Sequence, residues 1–220
     1  MKPCILLRHG ETAMAGLFCG HSDPQLSDAG REQIELAASM LGERPKVIYA
    51  SDLKRARQSA ELIASHFDLP VHLRPGLREI SFGAWEGLSW KQIERCFPAE
   101  AQAWMERYPQ GVIPGGEPYD TFRIRVQKEM AFLLGQAAVH ALIAVTHGGV
   151  IRTALTELYS FTHFEAHRCS AQYASIVPIP PVQVGGAASD VTIGLSNLEP
   201  GASMKNLRDI ELPRGERSRT

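Results

Sequence analysis

At 220 residues, with 44% hydrophobic and 21% charged side chains, the chain has the size and composition of one globular domain able to bury a core. Lysine plus arginine (23) nearly cancels aspartate plus glutamate (24), for a net charge of −1, which argues against a nucleic-acid binder with its basic excess. The longest early apolar run, residues 3–7, is too short for a signal-peptide core or a membrane span, so a cytoplasmic setting without a membrane partner is expected.

In chain order, residues 4–7 read as a buried strand. A helix follows from Asp28 to about Leu41, with Ser27 as N-cap and Ile34, Ala37, Ala38 and Leu41 on one face. Residues 47–50 form a second strand and 53–66 a second helix, with Ala56, Ala60, Ile63 and Ala64 inward; 71–73 form a third strand. Residues 82–116 change character, being rich in Trp, Gly and Pro, and read as a lid inserted over the sheet. Within them a short helix runs from Trp90 to Cys96, with Ser89 and Gln92 at capping-box spacing, another spans 99–107, and Pro114-Gly115-Gly116 makes a turn. Phe122, Val126, Met130, Leu133 and Leu134 mark a long helix. Residues 141–146 are the most hydrophobic strand, followed by a helix over 149–159 and a strand over 174–178. Beyond Pro180 the pattern fades to one candidate strand at 191–195 and a polar tail after Glu211. Strands alternating with helices predict a single domain over 1–220, a three-layer α/β/α sandwich on a mostly parallel sheet.

Two strands end alike. Ile5-Leu6-Leu7-Arg8-His9-Gly10 and Ile143-Ala144-Val145-Thr146-His147-Gly148 are apolar runs closed by His-Gly. Ligands bind beyond the carboxyl ends of parallel strands, so neighbouring placement would turn His9 and His147 into one crevice. Gly148-Gly149 opens a helix whose first N–H groups favour an anion. Arg8 adjoins His9, and Arg55 lies early in the helix after the second strand; guanidinium groups match phosphate oxygens with charge-assisted bonds. One strand-end His-Gly means little; two of them with two arginines predict a phosphate site at His9, His147, Arg8, Arg55 and Gly148.

Other features are weighed against plainer readings. The cysteines Cys4, Cys19, Cys96 and Cys169 are scattered without a C-x-x-C pair, so neither a disulfide framework nor a zinc ribbon is expected. His163 and His167 stand four apart without the zinc-protease pattern and read as a surface or capping pair, so no metal is expected. Trp85, Trp90 and Trp104 either pack the lid or wall a pocket for a flat group.

Leu7-Arg8-His9-Gly10-Glu11-Thr12 resembles the signature of the histidine phosphatase superfamily, which includes the cofactor-dependent phosphoglycerate mutases. The likeness runs from about Ile5 to Pro178. It takes in Leu26 and Gly30, Ser51-Asp52-Leu53-Lys54-Arg55-Ala56, Leu77-Arg78-Glu79, Phe82-Gly83-Ala84-Trp85-Glu86-Gly87, Gly115-Gly116-Glu117 and Thr146-His147-Gly148-Gly149. The resemblance implies a phosphoglycerate mutase-like fold with one antiparallel strand. It also implies His9 as nucleophile through a phosphohistidine, with Arg8, Arg55 and His147 on the phosphoryl oxygens. Glu79 becomes the proton donor and later the base. His9 has to be neutral, which Arg8 and Arg55 favour. No cofactor is expected. The partner is a small-molecule phosphate monoester, with a homodimer left open.

Three departures bear on specificity. Ala15 stands where the family often has a phosphate-contacting Asn, and His21 or Ser22 is the expected replacement. Pro118 replaces a Ser or Thr cap. Ile80 replaces the Arg that mutases usually carry after the acid, which favours hydrolysis. The Phe-Gly-x-Trp-Glu-Gly run with Trp90 and Trp104 looks most like the α-ribazole-5′-phosphate phosphatase branch of cobalamin assembly. On that reading His21, Ser22, Phe82, Trp85 and Trp104 line the substrate pocket. The rivals are a phosphoglycerate mutase and a phosphate-binding protein without turnover.

Overall fold

A computed structural model of the chain describes residues 2–180; the candidate strand at 191–195 and the polar tail lie outside them. Five strands, β1 (Cys4–Arg8), β2 (Val47–Ala50), β3 (Val71–Leu73), β4 (Leu142–Thr146) and β5 (Ile176–Ile179), form one sheet in the order β3-β2-β4-β1-β5. β1, β2, β3 and β4 pair in parallel, and β5 runs antiparallel to β1. The register sets Arg8 opposite Thr146, so the residues that follow, His9 and His147, leave the sheet side by side.

Alternation along the strands sends side chains to two helical layers. Leu7, Ile48, Ala50, Ile143 and Val145 pack against α1 (Asp28–Met40) and α2 (Lys54–Phe67). Leu6, Tyr49, Ala144 and Val177 face the opposite way, onto α5 (Tyr119–Ala137), α6 (Gly148–Tyr159) and α7 (His163–Ser170). The two short helices of the lid, α3 (Trp90–Cys96) and α4 (Pro98–Arg107), hold a separate cluster of Trp85, Ile93, Ala101 and Ile113. Among the described residues no helix is long and apolar enough to cross a membrane.

Local chemistry explains most boundaries. The Ser27 hydroxyl accepts from the Gly30 N–H at the start of α1, and Ser89 with Gln92 closes a capping box on α3. Two features differ from the expectation. β5 begins at Ile176 rather than 174, because Ala174 sits at φ 56°, in the left-handed region that strands exclude. A helix, α7, covers His163–Ser170, a stretch that the apolar pattern does not announce; its signal is the Thr162/Glu165 capping box.

The turn after β1 and the start of α1 meet backbone to backbone. A Cβ on Gly30 would lie 2.1 Å from the Glu11 carbonyl oxygen, and one on Gly10 would lie 2.2 Å from that of Gly30. Ser27 N–H donates to Glu11 O at 3.0 Å across the same seam. Gly30→Ala therefore forces backbone apart, and overpacking of this kind typically costs about 1–3 kcal/mol. Urea unfolding should show a lower midpoint at an unchanged slope; an unchanged midpoint would contradict this packing.

Candidate active site

His9 leaves β1 buried, and its Nδ1 lies 2.7 Å from the Gly10 carbonyl oxygen. A carbonyl only accepts, so the ring proton sits on Nδ1 and Nε2 keeps its lone pair. Arg55 Nε donates to that Nε2 at 3.3 Å, marking the direction of the lone pair. The Arg55 side chain itself has no exposed surface. Its NH1 donates to Ser22 O at 2.7 Å, and its NH2 to Gly20 O at 2.7 Å and Cys19 O at 3.2 Å. Ser59 ties this arginine to the strand end, accepting from Gly10 N–H at 3.1 Å and donating to Arg55 O at 2.7 Å.

Arg8 NH1 donates to Ser170 O and Ala171 O at the end of α7, and its guanidinium lies 4.3 Å over the Tyr173 ring. The Arg8 Nε is buried without a partner, as is Nδ1 of His147. The His147 Nε2 is 2.9 Å from Ser51 Oγ, and the His9 and His147 rings stand 5.1 Å apart at 60°. Gly148 is the first residue of α6, so its N–H belongs to the unpaired first turn. Glu79 closes the ring of groups: Oε2 accepts from Gly149 N–H at 2.8 Å and Oε1 from Ile80 N–H at 3.0 Å. A Cβ on residue 149 would lie 2.1 Å from Glu79 Oε1, so this approach requires glycine.

Electrostatics follow from burial. The His9 imidazole is held well below its ordinary pKa, first by desolvation, then by the charges of Arg55 and Arg8. The His147 ring is depressed likewise, by burial first and then by Arg55, His9 and Arg8. Both rings are therefore neutral beside two cations. Among the described residues neither Arg8 nor Arg55 has a carboxylate partner in a salt bridge.

The structure brings Arg8, His9, Arg55, Glu79, His147 and Gly148 together from separate chain segments. The expected pocket residues fare differently. His21 is exposed, with Nε2 3.0 Å from Glu79 O, and Ser22 serves through its carbonyl on Arg55. Trp85 is a correction: it is 0% exposed at the centre of the lid cluster and cannot line a pocket. Trp104 packs 5.8 Å from Trp85 and 5.7 Å from Trp90, and Phe82 packs edge-on against Phe18 at 5.0 Å. Trp85 belongs to the core of the lid, and Phe82, Trp90 and Trp104 pack half-buried around it. Ala15 lies exposed on a turn and brings no side-chain donor.

Two contributors, Arg125 and Tyr173, carry no sequence signal, and a third, Glu86, lies in a motif that assigns it no contact. Arg125 on α5 donates to the carbonyls of Gly76 and Arg78 at 2.8 Å and of Glu79 at 3.3 Å, and grips Glu117 with two bonds at 3.1 and 2.7 Å. It thus collars the loop that carries Glu79. Tyr173 stands 5.8 Å from the His9 ring. Glu86 accepts from four backbone N–H groups around residues 20–22 and 82. Nothing in the sequence marks Arg125, which simply interrupts a helical stripe.

A neutral nitrogen nucleophile walled by unneutralised arginines suits a substrate that brings both an electrophilic centre and its own negative charge. A phosphate monoester has both, so fold and site define a phosphohydrolase. The chain belongs to the histidine phosphatase superfamily (branch 1), whose family model matches residues 4–186. Among its relatives is a metal-independent phosphoserine phosphatase of Arabidopsis thaliana, 35% identical over 67% of this chain; the match spans 65% of that relative, just under two thirds. Another is the adenosylcobalamin/alpha-ribazole phosphatase of Salmonella typhimurium, 31% identical over 70% of this chain and 77% of that one. The crystal structure of the alpha-ribazole phosphatase from Shigella flexneri superposes with a TM-score of 0.73 at 26% identity, covering 81% of this chain and 90% of that one.

The depressed imidazoles couple stability to pH. In the unfolded chain each ring takes up a proton near pH ~6.5, whereas in the folded protein both stay neutral. The unfolded state then binds more protons below that value, so stability falls as pH drops through it, by about 1.4 kcal/mol per pH unit for each histidine. The depressed carboxylates Asp52 and Glu86 lose their contribution only at lower pH. Urea unfolding from about pH 7.5 to 5.5 should show this slope, and His9→Asn should lower it by about one proton's worth. Equal slopes in the two proteins would show that His9 is not held neutral.

Proposed function

We propose that this protein hydrolyses a small-molecule phosphate monoester through a phosphohistidine on Nε2 of His9. The observation that carries the reading is the Nδ1 contact to Gly10 O, which leaves a buried, neutral Nε2 directed at Arg55. Arg8, Arg55, His147 and the Gly148 N–H hold the phosphoryl oxygens and stabilise the charge that spreads over them in transfer. Nε2 attacks phosphorus as the ester P–O bond breaks, and Glu79 gives its proton to the leaving oxygen. Water then attacks the phosphoramidate while Glu79 takes the water's proton, and the N–P bond electrons return to His9. The products are an alcohol and inorganic phosphate. The positive charge comes from arginines, so the reading requires no metal.

Hydrolysis is favoured over a mutase by Ile80. The position after the acid packs partly buried against the α5–α7 core and offers no cation for a charged intermediate. Trp85 is internal to the lid, and Phe82, Trp90 and Trp104 lie half-buried against it, so the substrate class proposed is the monoester in general. α-Ribazole 5′-phosphate, phosphoserine and glucosyl-3-phosphoglycerate are the esters named by relatives. These three, with 3-phosphoglycerate plus a bisphosphate primer, make the assay panel. Free phosphate from one or more supports the hydrolase; isomer formation without phosphate release establishes the mutase.

Two further outcomes are expected. Rapid quench with labelled substrate traps a label that survives base and is lost in acid, and His9→Ala carries none; an acid-stable label would point to another nucleophile. Glu79→Gln lowers kcat for alkyl phosphates by roughly 100–10,000-fold and for nitrophenyl phosphate far less. Equal losses would move the acid elsewhere.

A further inference from the structure

Glu86 follows a 3-10 turn, Gly83–Trp85, whose tryptophan is anchored in the lid core. Its carboxylate reaches out of the lid. Oε2 accepts from Gly20 N–H and Ser22 N–H, each at 3.0 Å, and Oε1 from His21 N–H at 2.8 Å and Phe82 N–H at 2.9 Å. Three successive N–H groups converging on one anion form a backbone nest. The carbonyls of the same turn, Cys19, Gly20 and Ser22, hold Arg55. The turn is therefore gripped on its N–H side by an anion and on its C=O side by a cation. Each charge polarises the peptide groups toward the other.

We propose that Glu86 is a positioning residue for phosphate binding: its carboxylate sets the 19–22 turn that aims Arg55 at His9, and so makes the phosphate site depend on a docked lid. The proposal rests on the reading of Arg55 as a phosphate ligand. Burial opposes ionisation of Glu86, but the bonds from Ser22, Phe82 and His21 prevail and hold its pKa below the ordinary value. The anion thus persists across the neutral range. Substituting an amide turns two N–H donors toward N–H donors, and the nest loses its partner.

The alternative is that Glu86 only staples the lid and contributes stability without touching Arg55. Binding of inorganic phosphate separates the two, measured by calorimetry on the full chain for Glu86→Gln and Glu86→Asp, each in the wild-type and the Arg55→Lys background. Arg55→Lys keeps the charge and with it a measurable affinity. The expected result is a loss of phosphate affinity of at least roughly tenfold in the wild-type background, the size usual for groups that orient a ligand-holding side chain. The loss should shrink to less than about twofold in the Arg55→Lys background, since coupled residues are non-additive. Thermal midpoints should fall equally in both backgrounds. Unchanged affinity, or the same loss in both backgrounds, overturns the proposal; if Glu86→Gln does not fold, Glu86→Asp, which keeps charge but shortens reach, gives the same reading. Phosphate binding needs no turnover. Wild type that binds phosphate but cleaves no ester would sink the hydrolase reading and leave this one standing.

Discussion

Arg55 carries a full positive charge with no exposed surface and, among the described residues, no carboxylate in a salt bridge with it; the site is arranged around that fact. Burying an unpaired ion costs several kcal/mol unless hydrogen bonds replace water. Here three carbonyls of the 19–22 turn and the His9 lone pair do so. They take four of the five N–H donors without cancelling the charge, and one hydrogen on NH1 is left over. What remains is a positive potential in a low-dielectric crevice, worth more there than in water. Burial first, and then the same potential, keeps both imidazoles neutral, so one arrangement suits an anion and leaves the His9 lone pair unprotonated.

The parallel pairing of β1 with β4 supplies the other half of the geometry. With Arg8 opposite Thr146, the two histidines emerge as neighbours, and a one-residue slip would turn one of them away. Around that fixed edge three polar clasps set the connecting segments of the chain. Arg125 holds the carbonyls of the loop bearing Glu79, Glu86 holds the turn bearing the Arg55 acceptors, and the end of α7 holds Arg8. Each clasp joins a side chain to main-chain groups, which tolerate few alternative positions.

The lid shows why composition alone leaves two readings open. Four aromatic residues within one short stretch read equally as pocket wall or as core. Trp85 has no exposure, and Phe18, from a separate segment, inserts its ring among Phe82, Trp85, Trp90 and Trp104. A segment this short cannot bury enough surface with its aliphatic residues, and the rings make up the area. Aromatic content near a site is therefore weak grounds for an aromatic ligand until exposure is known.

Periodicity and capping are local properties, and they were legible: the helix of Ser27 and Ile34, the capping box of Ser89 and Gln92, and the strands ending in His9 and His147 all lie where the residues themselves direct. The meeting of His9, His147 and Arg8 at one sheet edge was also legible, since strand-end His-Gly and neighbouring Arg are chemical signals carried by a few consecutive residues, whereas Glu79 entered only through the family resemblance. Only the tertiary structure decided which carbonyls receive Arg55, that Glu86 closes a backbone nest, that Arg125 collars the acid loop, and that Ala174 delays β5. The first three join segments from 33 to 66 positions apart, as in Arg55 to Ser22 and Glu86 to Gly20. A buried polar group takes whichever partner the fold brings within about 3 Å, and no local pattern encodes that meeting.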